Sequence, residues 1–270
     1  LLRSVDLHVA AGEVHGLVGE SGAGQSMIGK TIFGILPRAA RVIEGEVRFR
    51  GRDLLTLPTR ARRLTAGRHM ALIPQDPLTA LNPSRRIGAQ LTDRLTKIMG
   101  EPRATADRRA RTLLDEVHIR DPDRVMRSYP HELSGGMRQR VLIAEAFAAE
   151  PALIVADEPT TALDVTVQRR ILALIADMQT RHGAALLFVS HDLGVVAKIT
   201  QSVSVLYSGL VVEQGRTADI LAAPRSPYTA ALLAATPRYD RPNEALQPVS
   251  EGVLAAIRRD VAAADAAYAP

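Results

Sequence analysis

The sequence predicts an α/β fold with a parallel core, on three observations. Three short apolar segments bounded by polar or turn residues have the composition of buried strands: EVHGLVG at 13–19, ALIVADE at 152–158 and ALLFVSH at 185–191. The segment 166–182 has helical apolar spacing and lies between the last two, as a crossover helix between parallel strands would. The 270-residue chain is 46% hydrophobic, which is enough for a sizeable core.

The first predicted strand leads into the glycine-rich stretch GESGAGQS, and a helix is predicted from Met27 to Leu36. Further along, GEVRFRG at 45–51 alternates with a period of two, so that Val47 and Phe49 share one face. This alternation predicts a half-exposed antiparallel strand.

Residues 87–149 are predicted to form a helical insertion. Apolar residues recur there at helical spacing on two faces, the first comprising Ile87, Leu91, Leu95 and Ile98 and the second Leu113, Leu114 and Val117. Beyond residue 223, prolines at 224, 227, 237, 242 and 248 predict an irregular tail.

Composition excludes several classes of protein. Without cysteine there are no disulfides, thiolate zinc sites or cysteine-ligated iron–sulfur clusters. No apolar run approaches the roughly 18 residues of a membrane helix, and no signal pattern opens the chain, so a cytoplasmic location is expected unless partners hold it at a membrane. The formal charge of +5 comes from scattered arginines with only 3% aromatics, which indicates a solvated basic surface rather than a nucleic-acid platform.

The stretch GESGAGQS has the context of a phosphate-binding loop, since a strand precedes it and a helix follows. Glycines let backbone N–H groups and the helix start face an anion, and Ser26 offers a hydroxyl to Mg²⁺. The pattern GxxxxGK[ST] requires a lysine after Gly24, where this chain has Gln25. Alone, the motif could equally be a glycine-rich turn that caps a helix.

Further motifs follow in order. LSGGM at 133–137 places a serine and two glycines at the start of a helix, and ALIVADEPT carries five apolar residues into Asp157 and Glu158. TALD at 161–164 and VSHD at 189–192 come next. Taken singly, His191 would be a structural histidine, Gln75 a surface amide and Glu158 a helix-start carboxylate.

Together, in this order from Gly19 to His191, the motifs resemble the ATP-binding-cassette (ABC) family. The resemblance implies a RecA-like P-loop core with an antiparallel β subdomain and an inserted helical subdomain at about 78–149. The ATP-binding domain would span 1–223, followed by a tail at 224–270. Two such domains would bind ATP head to tail, each site combining one chain's phosphate loop with the other's LSGGM signature.

The resemblance also implies ATP and Mg²⁺ as ligands and assigns roles to residues. Glu158 would be the general base, and His191 and Gln75 would complete the catalytic set. Ser26, Gln75 and Asp157 would serve Mg²⁺. Ser134, Gly135 and Gly136 would face the partner's γ-phosphate, and Asp164 would lie at the dimer seam. The nucleotide's phosphates would contact the loop residues Gly19, Glu20, Ser21, Gly22, Ala23, Gly24, Gln25, Ser26 and Met27.

Two stretches indicate a subfamily within the ABC family. QDPLTALNPSRRIG after Gln75, and SPYTAALLAATP at 226–237, are similar to the ATPase subunits of oligopeptide, dipeptide and nickel importers. The implied partners are transmembrane permease subunits, a second ATPase subunit that is identical or different, and indirectly an extracytoplasmic solute-binding protein, with no nucleic acid. The implied location is the cytoplasmic face of the cell membrane.

Two departures from the family pattern bear on function. Gln25 keeps a donor but loses a full charge, which costs about 2.7 to 4 kcal/mol if the charge acts in the transition state. Lys30 is five residues further along the helix and is expected on another face. The chain opens at LLRSVDLHVA, which resembles the second strand of the β subdomain, so the upstream adenine-stacking aromatic residue is missing. Either the start is truncated or the base is held weakly.

Three hypotheses about function remain. The first is an importer ATPase subunit whose own site is impaired, and the second is a regulatory or helper module with little or no turnover. The third, a soluble ABC ATPase of the DNA-maintenance kind, is disfavoured because the stretch between Ser26 and Leu133 carries no sustained heptads.

Overall fold

The computed structural model describes residues 2–161, 163–236 and 249–267. The chain divides into two compact units, Leu1–Leu55 with Leu187–Pro270, and Thr56–Leu186. The predicted tail prolines at 237, 242 and 248, and Ala162 of the TALD motif, lie outside the described residues.

The first unit begins with β1, Val14–Gly19, in which all six residues are buried, and α1, Gln25–Phe33. The prediction that this helix continues to Leu36 was wrong, because α1 ends at Phe33. Gly34 adopts a left-handed conformation with φ of 67°, and its N–H caps the helix by bonding to the carbonyl of Thr31.

The strand predicted at 45–51 is instead a small hairpin of β2, Arg48–Phe49, and β3, Arg52–Asp53. Arg50 and Gly51, with φ of 49° and 77°, form the two-residue turn that reverses the chain. The antiparallel pairing and the half-buried face of Val47 and Phe49 are confirmed, but the extent was wrong. The opening stretch also forms no strand over the described residues 2–13; its Arg3 N–H makes an isolated bond to the carbonyl of Gly209 instead of a ladder.

The second unit is mainly helical, and its two complete strands, β4 and β5, pair in parallel with Met70 opposite Leu153. The helical character predicted for residues 87–149 is confirmed, and Ile87, Leu91 and Leu95 of its first apolar face are fully buried. Its elements in chain order are α2 Thr59–His69, β4 Met70–Ile73, α3 Pro77–Ala80, α4 Ile87–Asp93, a π-helical turn Arg94–Ile98, α5 Arg103–Glu116, α6 Pro122–Arg127, a 3₁₀ turn Pro130–Glu132, α7 Gly135–Phe147, β5 Leu153–Asp157 and α8 Val165–His182.

The remaining elements return the chain to the first unit, with the division falling inside β6. They are β6 Ala185–Ser190, α9 Leu193–Ile199, β7 Ser202–Tyr207, β8 Leu210–Arg216, α10 Thr217–Ala222, α11 Pro227–Ala234 and α12 Glu251–Ala266. β1 pairs with β7 in parallel and β7 with β8 in antiparallel, so the sheet of this unit is mixed.

Over its described residues the tail is not irregular as predicted, because they include α11 and α12. Pro227 occupies the first turn of α11, where a missing N–H costs nothing and the fixed φ favours the helix. Over the part of the chain that the structure describes, no helix combines the length and apolarity needed to cross a membrane.

Candidate functional site

The glycine-rich loop joins the buried end of β1 to the start of α1. Gly22 and Gly24 have φ of 86° and 108°, a region that side chains other than glycine rarely adopt. A Cβ added at Gly22 would meet no atom within 4 Å, and the first turn of α1 has no side-chain cap. An open loop at an uncapped helix start fits an anion such as phosphate.

Glycine at position 19 is required by a close approach. A Cβ there would lie 2.4 Å from the carbonyl oxygen of Leu206 on β7 and 3.0 Å from the Cβ of Ala23. The loop therefore begins where the backbones of β1 and β7 leave no room for a side chain.

Gln25 turns its amide back into the loop. Its Nε2 donates to the carbonyl oxygen of Gly19 at 2.8 Å, and the residue is only 6% exposed. One of the two N–H donors of the Gln25 amide is thus bonded to the loop's own backbone. Lys30 is exposed, as expected from its position on another face of α1.

In the second unit, Gln75 and Glu158 are brought together. Gln75 Nε2 donates to Glu158 Oε2 at 2.9 Å, and Thr161 Oγ1 donates to the same oxygen at 2.8 Å. Glu158 follows β5 directly and has φ of 46°. A non-glycine residue in this region costs about 1 to 3 kcal/mol, and such strain concentrates at functional sites.

Two glutamines that the sequence analysis did not select hold the backbone after β5. Gln139 on α7, 1% exposed, donates through Nε2 to the carbonyl of Pro159 at 2.9 Å. Gln168 on α8 donates to Thr160 Oγ1 at 3.3 Å. The sequence offers only a weak signal for these glutamines. A buried glutamine among the apolar positions of a helix needs a polar partner, but which group is that partner depends on the fold.

The LSGGM motif opens α7. Ser134 is the N-cap and its Oγ accepts from the N–H of Met137 at 3.3 Å, while Cβ atoms added at Gly135 or Gly136 would meet nothing within 4 Å. Asp164 is likewise an N-cap, accepting from the N–H groups of Thr166 and Val167 at 3.1 and 3.0 Å. Both motifs therefore start helices through a side-chain cap.

The remaining predicted residues lie at strand ends. Asp157 is the last residue of β5 and is partly buried. His191 follows β6 and is exposed, and Asp192 caps α9 by accepting from the N–H of Gly194 at 2.8 Å. Polar residues directly after buried strands are where α/β proteins place ligand-binding groups.

These motifs lie in a chain whose residues 2–161 match the model of the ABC transporter family. The chain belongs to the ABC transporter family. It is therefore an ABC ATPase, and the match spans the phosphate loop, the LSGGM motif and Glu158. Residues 212–260 match a second model, the C-terminal region of oligopeptide/dipeptide transporters.

Relatives of this ABC ATPase cover nearly all of it. It is 45% identical to a probable peptide ABC transporter ATP-binding protein of Sinorhizobium fredii, over 95% of this chain and 77% of that protein. It is 45% identical to a probable D,D-dipeptide transport ATP-binding protein of Escherichia coli (92% and 76% covered) and 43% identical to a dipeptide transport ATP-binding protein of the same organism (90% and 76%).

Solved structures agree on the cassette fold. A dimeric ATP-binding cassette in a post-hydrolysis state bound to ADP and Pi superposes with a TM-score of 0.70 at 25% identity, covering 80% of this chain and 90% of that one. An ATP-binding subunit of an ABC transporter gives 0.65 at 30% identity, with 82% and 85% covered. The expected α/β P-loop fold is confirmed.

Proposed function

We propose that the chain is the ATP-binding subunit of an ABC importer for peptides or related solutes, coupling ATP binding and hydrolysis to transport. The match of residues 212–260 to the C-terminal region of oligopeptide/dipeptide transporters carries this proposal. The peptide and dipeptide names of the relatives support it. The ATP-binding domain would span 1–223, with the helical subdomain at about 78–149 and the tail at 224–270.

Residue roles follow from the motifs and from local geometry. Residues 19–27 would contact the phosphates. Glu158, held by Gln75 and Thr161, would take the proton of the attacking water. Mg²⁺, when bound by Ser26, Gln75 and Asp157, would neutralise phosphate charge, and carboxylate, amide and hydroxyl oxygens suit that ion. His191 would contact the γ-phosphate.

The signature serves a different site. Ser134, Gly135 and Gly136 would face the γ-phosphate bound to a second ATPase subunit, with Asp164 at the seam between the two. Permease subunits would hold the pair at the cytoplasmic face of the membrane, and an extracytoplasmic solute-binding protein would deliver the solute. The open space at both signature glycines leaves room for such a partner.

One observation favours a second candidate, a helper subunit with little turnover of its own. The Gln25 amide spends one N–H donor on the carbonyl of Gly19, and it carries no charge. Such a subunit would bind nucleotide and complete its partner's site through the signature.

Reconstitution tests the proposal. The chain, its candidate partner ATPase and the permease subunits are purified together into proteoliposomes containing ATP, and uptake of labelled di- and oligopeptides is measured with the binding protein outside. ATP-dependent uptake that is lost in Glu158→Gln or Ser134→Arg complexes is expected. A complex that assembles without any permease subunit, or that transports without this chain, would refute the proposal.

A further inference from the structure

We propose that the C-terminal helices α11 and α12 position the phosphate loop, and that Tyr228 and the Arg3–Asp265 ion pair are positioning residues for nucleotide binding. The inference rests on the proposed assignment of residues 19–27 to the nucleotide. All of its contacts lie within the first unit.

The link to the loop is the tight turn between β7 and β8. Ser208 and Gly209 both have positive φ, 46° and 80°, as a two-residue hairpin turn requires. The N–H of Gly209 donates to the carbonyl oxygen of Ala23, in the middle of the phosphate loop, at 2.6 Å. Any shift of this turn therefore moves or releases the loop backbone at Ala23.

Arg3 hydrogen-bonds to the same turn and links it to α12. Its backbone N–H donates to the carbonyl of Gly209 at 2.8 Å, and its Nη1 donates to the carbonyl of Ser208. The other edge of the guanidinium pairs bidentately with Asp265, Nε donating to Oδ1 at 2.6 Å and Nη2 to Oδ2 at 2.9 Å. Bidentate pairing fixes the plane of the guanidinium, so Asp265 orients the group that holds the turn.

The Arg3 side chain is only 17% exposed, whereas that of Asp265 is 56% exposed. Hydrogen bonding to Asp265 raises the pKa of Arg3, which reflects the same coupling. A fully exposed pair would contribute little, but here the Arg3 guanidinium is mostly sheltered and also donates to the backbone carbonyl of Ser208. The path from α12 to the phosphate loop is therefore continuous: Asp265, Arg3, the Ser208–Gly209 turn and Ala23.

A second path runs through α11. Tyr228 is 1% exposed, its ring lies edge-on to Tyr207 with centroids 4.9 Å apart, and it packs in one apolar cluster with Ile257 of α12. Its buried hydroxyl makes no hydrogen bond of normal geometry with a described residue, and it lies beside Glu20 of the phosphate loop. Burial and the Glu20 charge both raise the pKa of Tyr228.

Glu213 of β8 fixes where α11 begins. Its carboxylate accepts from the N–H groups of Arg225 at 2.8 Å and Ser226 at 3.1 Å, directly before the helix. These two hydrogen bonds hold Tyr228, two residues after Ser226, at a set position relative to β8. A buried hydroxyl that makes no well-formed hydrogen bond costs about 1 to 3 kcal/mol, so the Tyr228 hydroxyl beside Glu20 does not stabilise the fold.

Nucleotide affinity in the full importer complex tests the ion-pair path. Arg3→Gln, Asp265→Asn and the double variant are compared by titration with Mg-ATP. The matched control is Glu251→Gln, which removes the 2.7 Å Glu251–Arg258 pair on the same helix without touching Arg3. Each single variant should raise the Kd about three- to ten-fold, and the double variant should be no weaker than Arg3→Gln alone, because Asp265 acts through Arg3.

Tyr228→Phe tests the other path while preserving the ring. The variant should be as stable to heat as wild type or more so, yet its KM for ATP should change about three-fold or more with kcat unaffected. Unchanged affinity in all of these variants, strictly additive effects in the double variant, or an equal loss in Glu251→Gln would overturn the inference. Wild-type complex that binds no Mg-ATP would instead refute the nucleotide assignment itself.

Discussion

Gln25 stands at the position in the phosphate loop where the GxxxxGK[ST] pattern has a lysine. Its amide, bonded to Gly19, stabilises the loop but presents no charge to phosphate. Gln25→Lys should therefore raise intrinsic ATP turnover about ten-fold or more, within the roughly 2.7 to 4 kcal/mol that one preorganised donor supplies in a transition state. Steady-state phosphate release measures this. Lys30→Gln, on the exposed face of the same helix, is the control and should change nothing; equal turnover in both variants would show that another cation replaces the lysine.

Two features fix the position of the Glu158 carboxylate: a strained backbone directly after β5 and hydrogen bonds donated by Gln75 and Thr161. Glu158→Gln should lower turnover about 100-fold or more, because no proton acceptor remains, while Mg-ATP affinity stays near that of wild type. Nucleotide titration and phosphate release on the same preparation separate the two effects. Undiminished turnover would remove Glu158 from the role of base.

Glu145 of α7 carries a carboxylate that is buried away from solvent. Burial raises the pKa of Glu145 to about 7 from an ordinary 4.5, and nearby Asp93 adds to the rise, while Arg94 and Arg85 oppose it. Arg94 is itself bonded to the carbonyls of Gly67 and Met70, at 2.7 and 2.6 Å.

The sign of the resulting pH dependence follows from proton binding. Between about pH 4.5 and 7 the folded chain holds a proton that the unfolded chain has lost, so Glu145 makes stability fall as pH rises across that range. Glu145→Gln should flatten the decline and stabilise the protein at pH 8 by on the order of 2 to 3 kcal/mol. Urea unfolding at pH 5 and 8 measures it, with Asp115→Asn, an exposed carboxylate on α5, as the control. A decline as steep as in wild type would assign it to other groups.

Elements with strong apolar patterns were predictable from the sequence, and elements set by local backbone geometry were not. β1, β5, β6 and α8 fall within one or two residues of their expected bounds, because fully apolar runs and helical spacing depend only on burial. The hairpin at Arg50 and Gly51 was missed, since a non-glycine residue with positive φ has no clear sequence signal. Pro227 was taken as a breaker, although at a first helical position it starts α11.

For the assembled ATPase, the sequence located the motifs but not the contacts between distant segments. The order from Gly19 to His191 sufficed for the family. The bond between Gln75 and Glu158 spans 83 residues, and that between Arg3 and Asp265 spans 262. Such pairs depend on how the chain folds back, which periodicity and motif spacing do not encode. The structure therefore reveals which residues position the site, whereas the chemical groups of the site were already identifiable from the sequence.

In a dimer of cassettes, each subunit's signature should act on the other subunit's nucleotide, and this separates a helper from a competent subunit. Ser134 is exposed at the start of α7, with open space at Gly135 and Gly136. Ser134→Arg should leave this chain's own Mg-ATP affinity nearly intact but reduce turnover about 100-fold in a mixed dimer with a competent partner, because a bulky side chain there blocks the partner's γ-phosphate. Ser134→Ala is the control, as it removes the cap without adding bulk and should cost only about 1 kcal/mol of stability. Mixed-dimer turnover that survives Ser134→Arg would mean that this signature completes no active site, and the helper hypothesis would fail with it.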